Sequence, residues 1–418
     1  MNPALVVGLV AAVAYLPSFA GVFHFDDYNV IVHYDTVHSW QALLERAGGG
    51  VRPLLKATYT LNWTLGPGEF GFHLFNTTVH ALNAVLLFLI GRDLFRIPSA
   101  SFVAALLFAL HPAATEAVTY ISGRSSSLMA SFYLGALLVY LRGGHWSLST
   151  LLFACAAAVR ETAVTLPAAL LLCELTARPW PGWREILRRQ GAHWTLLAAG
   201  GLFVLLNQRY FDHLAFGYGL RSLGDNLLTQ VGGIAYLVSR LVGLHGYNID
   251  PALPVLTEWS ALLALQAALL GLLFLLGAAN LRARPWLAFG ILWFFLQLAP
   301  TNSLVPRVDV ANDRQLYLAA WGLFIAFAVQ LRATPAKALP LILLFAVASI
   351  ARQLDYASEV RLWESSARLS PWNARSHNNL GYAYQLEGRA AQARREYETA
   401  LFLDPRHDKA RYNLMLLR

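Results

Sequence analysis

Apolar stretches, separated by short connections that carry one or two charges, make up most of the first 353 residues. Because a helix needs about 20 apolar residues to cross a bilayer, this pattern predicts about 11 membrane spans. They lie at 3–23, 73–91, 100–119, 126–141, 146–159, 162–177, 193–210, 259–280, 286–300, 315–331 and 338–353. After residue 353 charged residues become frequent, which indicates a change of solvent from lipid to water. We therefore expect an all-α polytopic membrane bundle over 1–353 and an aqueous domain over 354–418.

One further stretch, 227–245, is long enough to cross the membrane but carries the polar residues Gln230 and Arg240. Cytoplasmic connections are enriched in Lys and Arg, and with a cytoplasmic N-terminus this rule favours a helix that lies at the outer interface. The number of crossings is then odd, which places 354–418 on the non-cytoplasmic side. We expect the plasma (inner) membrane of a prokaryote, with the C-terminal domain in the periplasm or outside the cell.

The composition excludes several other classes of protein. Hydrophobic residues make up 57% of the chain and charged residues 13%, whereas soluble domains carry about 25% charged residues. The net charge of +8 does not indicate a nucleic-acid partner, because the basic residues are scattered between apolar stretches. Cys155 and Cys173 form no CxxC pair and no metal-ligand pattern.

The segment 374–407 has the spacing of a 34-residue tetratricopeptide repeat. The pattern is carried by Leu380, Gly381, Tyr384, Ala393, Tyr397, Ala400 and Pro405. Partial copies before and after it predict a short tetratricopeptide-repeat domain within 354–418. Two roles stay open: a groove that binds an acceptor protein or another partner, and a cap that stabilises the outer face.

The predicted first outer loop, 24–72, opens with two adjacent acidic residues, Asp26 and Asp27. Carboxylates next to a bilayer are costly to keep, so one of them is a candidate general base or metal ligand. The alternative is that they cap a following helix. In the same loop, Arg52 shares a helical face with Lys56, which is typical of interfacial anchoring or of recognition of an anionic headgroup.

Further polar residues flank the second and third spans. His73 lies at the start of the second span, where polar groups need partners. His111 precedes Pro112, which ends or kinks a helix. Glu116 and Arg124 follow within 14 residues of His111 and form a candidate ionisable cluster.

Two more candidates come from later connections. Arg160 and Glu161 lie between two short apolar stretches, where they form either an ion pair or part of a site. Arg314 precedes the tenth predicted span, and its planar guanidinium suits a phosphate group.

The order of these motifs resembles a known family. The chain carries FDD after the first span, RPL, FHLFN, LFALHP with TEAV and GR, RETAVTLP, and a late DRQLYL before the repeat. This order resembles the transmembrane and tetratricopeptide-repeat protein O-mannosyltransferases, a branch of the GT-C glycosyltransferases. The resemblance covers most of 20–180 and 293–320 and the C-terminal segment.

The resemblance implies transfer of a sugar, mannose in the family, from a polyprenyl-phosphate carrier to a Ser or Thr hydroxyl on the non-cytoplasmic side, with inversion. Asp26 matches the family's acidic catalytic position, and Arg124 and Arg314 match its arginines. On this basis Arg124, Arg314, Arg52 and Arg160 are expected to bind the donor phosphate, and His111, Glu116, Glu161 and His73 to support them. Ser125 to Ser127 stand where the family has an acidic residue, which leaves the sugar and the acceptor open.

No cofactor is required by this interpretation, although a divalent metal stays open. The expected partners are the polyprenyl-phosphate sugar, an acceptor protein and membrane lipids. A transporter of lipid-linked sugars or small molecules and a non-catalytic scaffold that displays the repeat are the alternatives.

Overall fold

The computed structural model describes residues 1–46, 51–177 and 180–417. Within these ranges the chain is helical and contains no β-strand, as the sequence predicts. The first part consists of α1 (Pro3–Ala14), α2 (Trp40–Glu45), α3 (Pro53–Leu65), α4 (Glu69–Phe95), α5 (Pro98–Leu110), α6 (Thr115–Val118), α7 (Arg124–Leu141), α8 (Trp146–Val159), α9 (Leu166–Thr176), α10 (Trp183–Leu206), α11 (Gln208–Gly219), α12 (Leu223–Gly243), α13 (Ala261–Ala279), α14 (Pro285–Leu298), α15 (Leu316–Gln330) and α16 (Pro335–Asp355). The C-terminal part consists of α17 (Glu359–Leu369), α18 (Ala374–Leu386), α19 (Ala390–Leu403) and α20 (Asp408–Leu416).

The predicted spans fall on helical segments, but 100–119 is divided between α5 and α6, and the helices differ in length. In the described part of the chain, 4 segments are long and apolar enough to cross a membrane: Pro3–Ala20, Glu69–Phe95, Ala261–Ala279 and Pro335–Asp355. The bent pair formed by α5 and Pro112–Val118 raises the number to 5. Helices such as α8 and α14 are apolar but have 14 residues each, or about 21 Å of length against about 30 Å of hydrocarbon. A membrane protein is therefore indicated, and the number of 11 crossings stays a prediction.

Proline residues set where several helices begin and where one is interrupted. Pro98, Pro285 and Pro335 occupy the first turns of α5, α14 and α16, where the missing N–H costs no hydrogen bond. Pro112 follows α5 and starts a short 3-10 turn, so the path bends by 55° before α6. α6 therefore does not continue the axis of α5, and all four of its residues are buried.

Two glycines allow α14 and α15 to pack closely. A Cβ atom added to Gly290 would collide with the backbone of Gly322, so only glycine allows this approach. Next to it, the fully buried Trp293 donates a hydrogen bond from Nε1 to the Leu318 carbonyl at 2.8 Å. This contact fixes the start of α15 relative to α14.

The C-terminal helices form antiparallel hairpins in which Gly381 contacts the ring of Tyr397. They pack against the segment before α13. Asn248 donates to the Ser370 hydroxyl at 2.9 Å, and Asn373 donates to the Asp250 carbonyl at 3.1 Å. The C-terminal helices thus pack against the rest of the chain. Their assignment as tetratricopeptide repeats and the domain boundary at 353 stay predictions.

The helix over the ambiguous stretch, α12, contacts the bundle at both of its ends. Near its start, Asn226 donates to the Ser303 carbonyl at 2.6 Å. Near its end, the Leu241 carbonyl accepts a hydrogen bond from His111 Nε2 at 3.2 Å. Ser303 lies between α14 and α15, and His111 lies between α5 and α6. Both ends of α12 therefore contact connections between helices of the bundle, and whether α12 crosses the membrane stays a prediction.

Candidate active site

Asp27 fixes the loop that follows the first helix. Its side chain is fully buried; Oδ2 accepts a hydrogen bond from the His24 N–H at 2.9 Å, and Oδ1 accepts one from the Ser122 N–H at 2.7 Å. Burial raises the pKa of the Asp27 carboxyl to about 7, although the His24 and Ser122 donors favour the charged form. Both oxygens are thus used inside the fold, where they join the loop to the turn at Ser122, and the side chain does not cap the helix that follows it.

Asp26, the other acidic residue of the pair, is partly exposed. Its N–H donates to the Tyr120 hydroxyl at 3.0 Å. Burial raises the pKa of the Asp26 carboxyl; the charges of Arg314 and Arg375 oppose this rise, and the charge of Asp309 adds to it. A small cavity adjoins this position. It is lined by Phe25, Glu116, Tyr120, Ile249, Asp250, Pro251, Asp309, Ala311, Asn312 and Arg314.

Arg314 enters this cavity from the start of α15. Asn312 and Gln315 cap the short turn before the helix, which sets the direction of the chain at Arg314. The Arg314 N–H donates to Glu116 Oε2 at 3.0 Å, and Arg314 Nε lies 3.6 Å from Glu116 Oε1. The two predicted residues therefore form a buried ion pair beside Asp26.

A second cavity also includes Arg314 in its lining. It is lined by Ser126, Met129, Arg160, Thr162, Gln297, Thr301, Arg314, Gln315, Tyr317 and Leu318. Arg160 Nη1 donates to the hydroxyls of Ser125 and Ser126 at 3.0 and 2.6 Å. Both serine hydroxyls are neutral, so this contact does not neutralise the charge of Arg160. Burial lowers the pKa of Arg160 to about 9, and nearby guanidinium groups add to the effect.

Two further arginines lie near the second cavity, and one of them, Arg307, adds positive charge to it. Arg307 lies close enough to Arg314 and Arg160 for mutual repulsion, and its buried Nη1 has no hydrogen-bond partner in the described part of the chain. Arg52 is engaged differently, because it forms a two-bonded ion pair with Glu161 at 2.6 and 3.0 Å. An anion in this cavity would relieve the repulsion between the arginines.

The predicted phosphate ligand Arg124 lies elsewhere. It is fully buried at the start of α7, and its guanidinium donates to Asn76 Oδ1 at 2.6 Å and to the carbonyls of Phe72 and Thr58 at 3.2 Å each. The ring of Phe75 lies 4.3 Å from the guanidinium carbon. Because these donors are used within the bundle, the structure does not bring Arg124 to either cavity.

The two predicted histidines also contact the backbone and not a cavity. His73 is buried and donates from Nε2 to the Gly21 carbonyl at 3.2 Å, which joins α4 to the end of the first span. His111 donates to the Leu241 carbonyl and accepts a hydrogen bond from the Ala113 N–H at 3.2 Å. Both side chains hold connections between helices.

Sequence reasoning missed two residues near Asp26. Tyr120 lies between the TEAV and GR motifs, and no spacing in the sequence marks its hydroxyl as part of a site. Arg375 belongs to the predicted repeat, yet its guanidinium forms ion pairs with Asp250 and Asp309. Arg375 and Asp26 are far apart in the sequence, and no pattern along the chain predicts that they lie near each other.

A metal centre finds no support from the described side chains. Across 1–46, 51–177 and 180–417, no group of three or more His, Cys, Asp or Glu residues is arranged to hold a metal ion. The second cavity contains two arginines, Arg160 and Arg314, and arginine binds anions.

Comparison with known proteins gives a consistent set of relatives. The chain is similar to animal protein O-mannosyl-transferases. It is 24% identical to protein O-mannosyl-transferase F38B6.6 of Caenorhabditis elegans over 97% of the chain, and 27% identical to protein O-mannosyl-transferase TMTC4 of Homo sapiens over 94%. A shorter match, to TMTC3 of Mus musculus, reaches 36% identity over 33% of the chain. No protein-family model matches the chain.

The chain spans 63% and 65% of the length of the first two relatives. It therefore corresponds to a large part of those proteins but not to all of them. The relatives named here come from animals, so the prokaryotic membrane expected from the sequence stays a prediction.

Proposed function

We propose that this protein is a membrane glycosyltransferase that moves a sugar, mannose by analogy with its relatives, from a polyprenyl-phosphate carrier to a Ser or Thr hydroxyl of a protein. The transfer takes place on the non-cytoplasmic face and inverts the anomeric carbon. Asp26 acts as the general base, and the donor phosphate lies among Arg160, Arg307 and Arg314.

One observation carries this proposal. Asp26, Glu116 and Arg314, from distant parts of the chain, meet at one end of the bundle, and Arg314 also lines the arginine-rich cavity. A carboxylate therefore lies beside a cationic pocket that adjoins apolar helices. A lipid-linked sugar phosphate needs these three features: a base, a site for the leaving phosphate and an apolar surface for its chain.

The reaction follows from this arrangement. The acceptor hydroxyl loses its proton to Asp26 while its oxygen attacks the anomeric carbon, and the bond from that carbon to the phosphate oxygen breaks. The carrier phosphate departs with the bonding electrons. Arg160 and Arg314 stabilise the negative charge that collects on it, in a site where burial strengthens electrostatic interactions.

The acceptor would reach Asp26 along the C-terminal helices. A groove lies between the segment before α13 and the start of α18, and it is lined by Ala252, Pro254, Trp372, Asn373, Ala374, Arg375, Asp404 and His407. Its exposed Trp372 offers an apolar surface to an extended peptide. Arg375 forms part of this groove and also pairs with Asp309 in the cavity beside Asp26.

The proposal is tested by transfer of labelled mannose from polyprenyl-phosphate mannose to Ser- and Thr-rich proteins in proteoliposomes. Asp26→Asn should abolish transfer, because an amide does not accept the hydroxyl proton. Asp35→Asn is the matched control: Asp35 lies in the same loop, and its carboxyl is 94% exposed. This variant should keep the rate of the unmodified protein.

Other outcomes favour the alternative functions. Full transfer by Asp26→Asn would remove Asp26 from catalysis. Accumulation of the labelled donor across the membrane, without transfer, would indicate a transporter. Neither transfer nor transport with any tested carrier, together with stable binding of a protein to the C-terminal helices, would indicate a scaffold.

A further inference from the structure

The C-terminal helices hold the residues on the N-terminal side of Asp26. His24 Nε2 donates to the Tyr356 carbonyl at 2.8 Å, and His24 Nδ1 lies 3.1 Å from Glu359 Oε1. The ring of Phe25 lies 5.4 Å from that of Trp363 and is nearly perpendicular to it. Phe25 has a positive φ of 45°, a conformation that costs energy for a residue with a side chain. The contacts with α17 and its preceding turn stabilise this backbone.

Arg375, near the start of α18, makes the most direct contribution. Its Nε donates to Asp250 Oδ2 at 2.6 Å, and its Nη2 donates to Asp250 Oδ1 and, at 2.8 Å, to Asp309 Oδ1. The guanidinium carbon lies 5.9 Å from the centre of the Phe25 ring. Asp250 and Asp309 both line the cavity beside Asp26. A residue of the repeat thus bridges two acidic walls of the proposed active site.

We infer that Arg375 is a positioning residue that holds Asp309 and supplies a positive charge beside Asp26, so that the C-terminal helices form part of the active site. This inference rests on the proposed function, since it assigns Asp26 the role of base. It differs from the groove role of the repeat, because it concerns the charge at the reacting carboxylate and not the binding of a partner.

Five influences set the charge state of Asp26. Burial favours the neutral acid, and the charge of Asp309 acts in the same direction. The charges of Arg314 and Arg375 and the Tyr120 hydroxyl favour the carboxylate. Loss of Arg375 should therefore raise the pKa of Asp26, whereas loss of the Asp309 charge should lower it. General structural damage would not move the two variants in opposite directions.

The test is the pH dependence of kcat/KM for transfer, which reports the essential base of the free enzyme. The full chain is compared with Arg375→Gln, Arg375→Lys and Asp309→Asn in the same membranes. Arg375→Gln should move the acid limb to higher pH by about half a unit or more. Asp309→Asn should move it to lower pH, and Arg375→Lys, which keeps the charge, should stay near the unmodified enzyme. The exposed Arg394 of α19 provides the control Arg394→Gln, which should leave the profile unchanged.

The inference is overturned if Arg375→Gln and Asp309→Asn lower the rate without moving the limb, or move it in the same direction. If Arg375→Gln does not yield folded protein, Asp309→Asn decides by the direction of its shift. Failure of the proposed function looks different: the unmodified protein shows no transfer, or Asp26→Asn transfers at the full rate.

Discussion

Glu116 contacts Arg314 at two points, although 198 positions separate them in the sequence. Glu116 Oε2 accepts a hydrogen bond from the Arg314 N–H at 3.0 Å, and Glu116 Oε1 lies 3.6 Å from Arg314 Nε. The Glu116 side chain is 2% exposed and that of Arg314 is 18% exposed. Removal of one partner from such a pair leaves the other charge without compensation in a buried place. The pair also sets the position of the guanidinium that lines both cavities.

Glu116→Ala should therefore lower the free energy of unfolding by about 3 kcal/mol, the lower end of the cost of breaking a buried pair. Thermal unfolding in detergent measures this change as a lower midpoint. Glu185→Ala removes one partner of the exposed pair with Arg188 and is the control; because water screens exposed ion pairs, the midpoint of this variant should stay close to that of the unmodified protein. Equal midpoints for the two variants would contradict a buried pair.

Arg160→Ala should reduce the catalytic efficiency with the lipid-phosphate donor by about 100-fold, since one donor to a developing negative charge is typically worth this much. The loss should appear in kcat, because the charge on the phosphate grows as the bond to the sugar breaks. Transfer kinetics at varied donor concentration measure both parameters. Arg282→Ala, at an exposed position before α14, should change neither. An unchanged kcat for Arg160→Ala would exclude a role in leaving-group stabilisation.

The sequence predicts which residues are candidates for the site better than it predicts the role of each one. The helices fall where the apolar stretches predict them, because burial in lipid or in a bundle requires long apolar helices. Asp26, Glu116, Arg160 and Arg314 were all candidates, since charged residues next to apolar stretches are costly and need a reason. The sequence does not show which of these residues lie close together, because that depends on how the helices pack.

Arg124 shows the limit of this reasoning. A charged residue beside an apolar stretch gives the same sequence signal whether it binds a ligand or buried backbone carbonyls, and Arg124 does the latter. Arg375 shows the opposite limit, because an arginine in a repeat is ordinarily exposed to water. Its sequence context therefore does not predict that it contacts the candidate site. Its partner Asp250 lies in the segment before α13, where the pattern predicts no element.

Arg124→Ala should lower the free energy of unfolding by about 3 kcal/mol, because Asn76 Oδ1 and the Phe72 carbonyl lose their donor and a cavity remains. The folded fraction should keep its affinity for the donor lipid, as expected of a residue whose donors are all used inside the bundle. Thermal unfolding and donor binding, measured on the same preparation, check both statements. A loss of donor binding at unchanged stability would instead make Arg124 a phosphate ligand.

The Asp27 carboxyl predicts a pH dependence of stability. Burial raises its pKa to about 7 in the folded protein, above the value of about 3.9 for an unfolded chain. Between these two values the folded state holds more protons than the unfolded state, so the contribution of Asp27 to stability decreases as the pH rises from about 4 to 7. Above this window the contribution no longer changes.

Asp27→Asn removes this titration and also one of the two acceptors for the N–H groups of His24 and Ser122. The variant should be less stable than the unmodified protein by about 1 to 3 kcal/mol at low pH, and the difference should shrink as the pH approaches 7. Unfolding midpoints at several pH values measure the difference directly. The exposed Asp35→Asn supplies the control, for which the difference should stay near zero. A penalty for Asp27→Asn that is constant from pH 4 to 7 would show that the Asp27 carboxyl titrates alike in the folded and unfolded states.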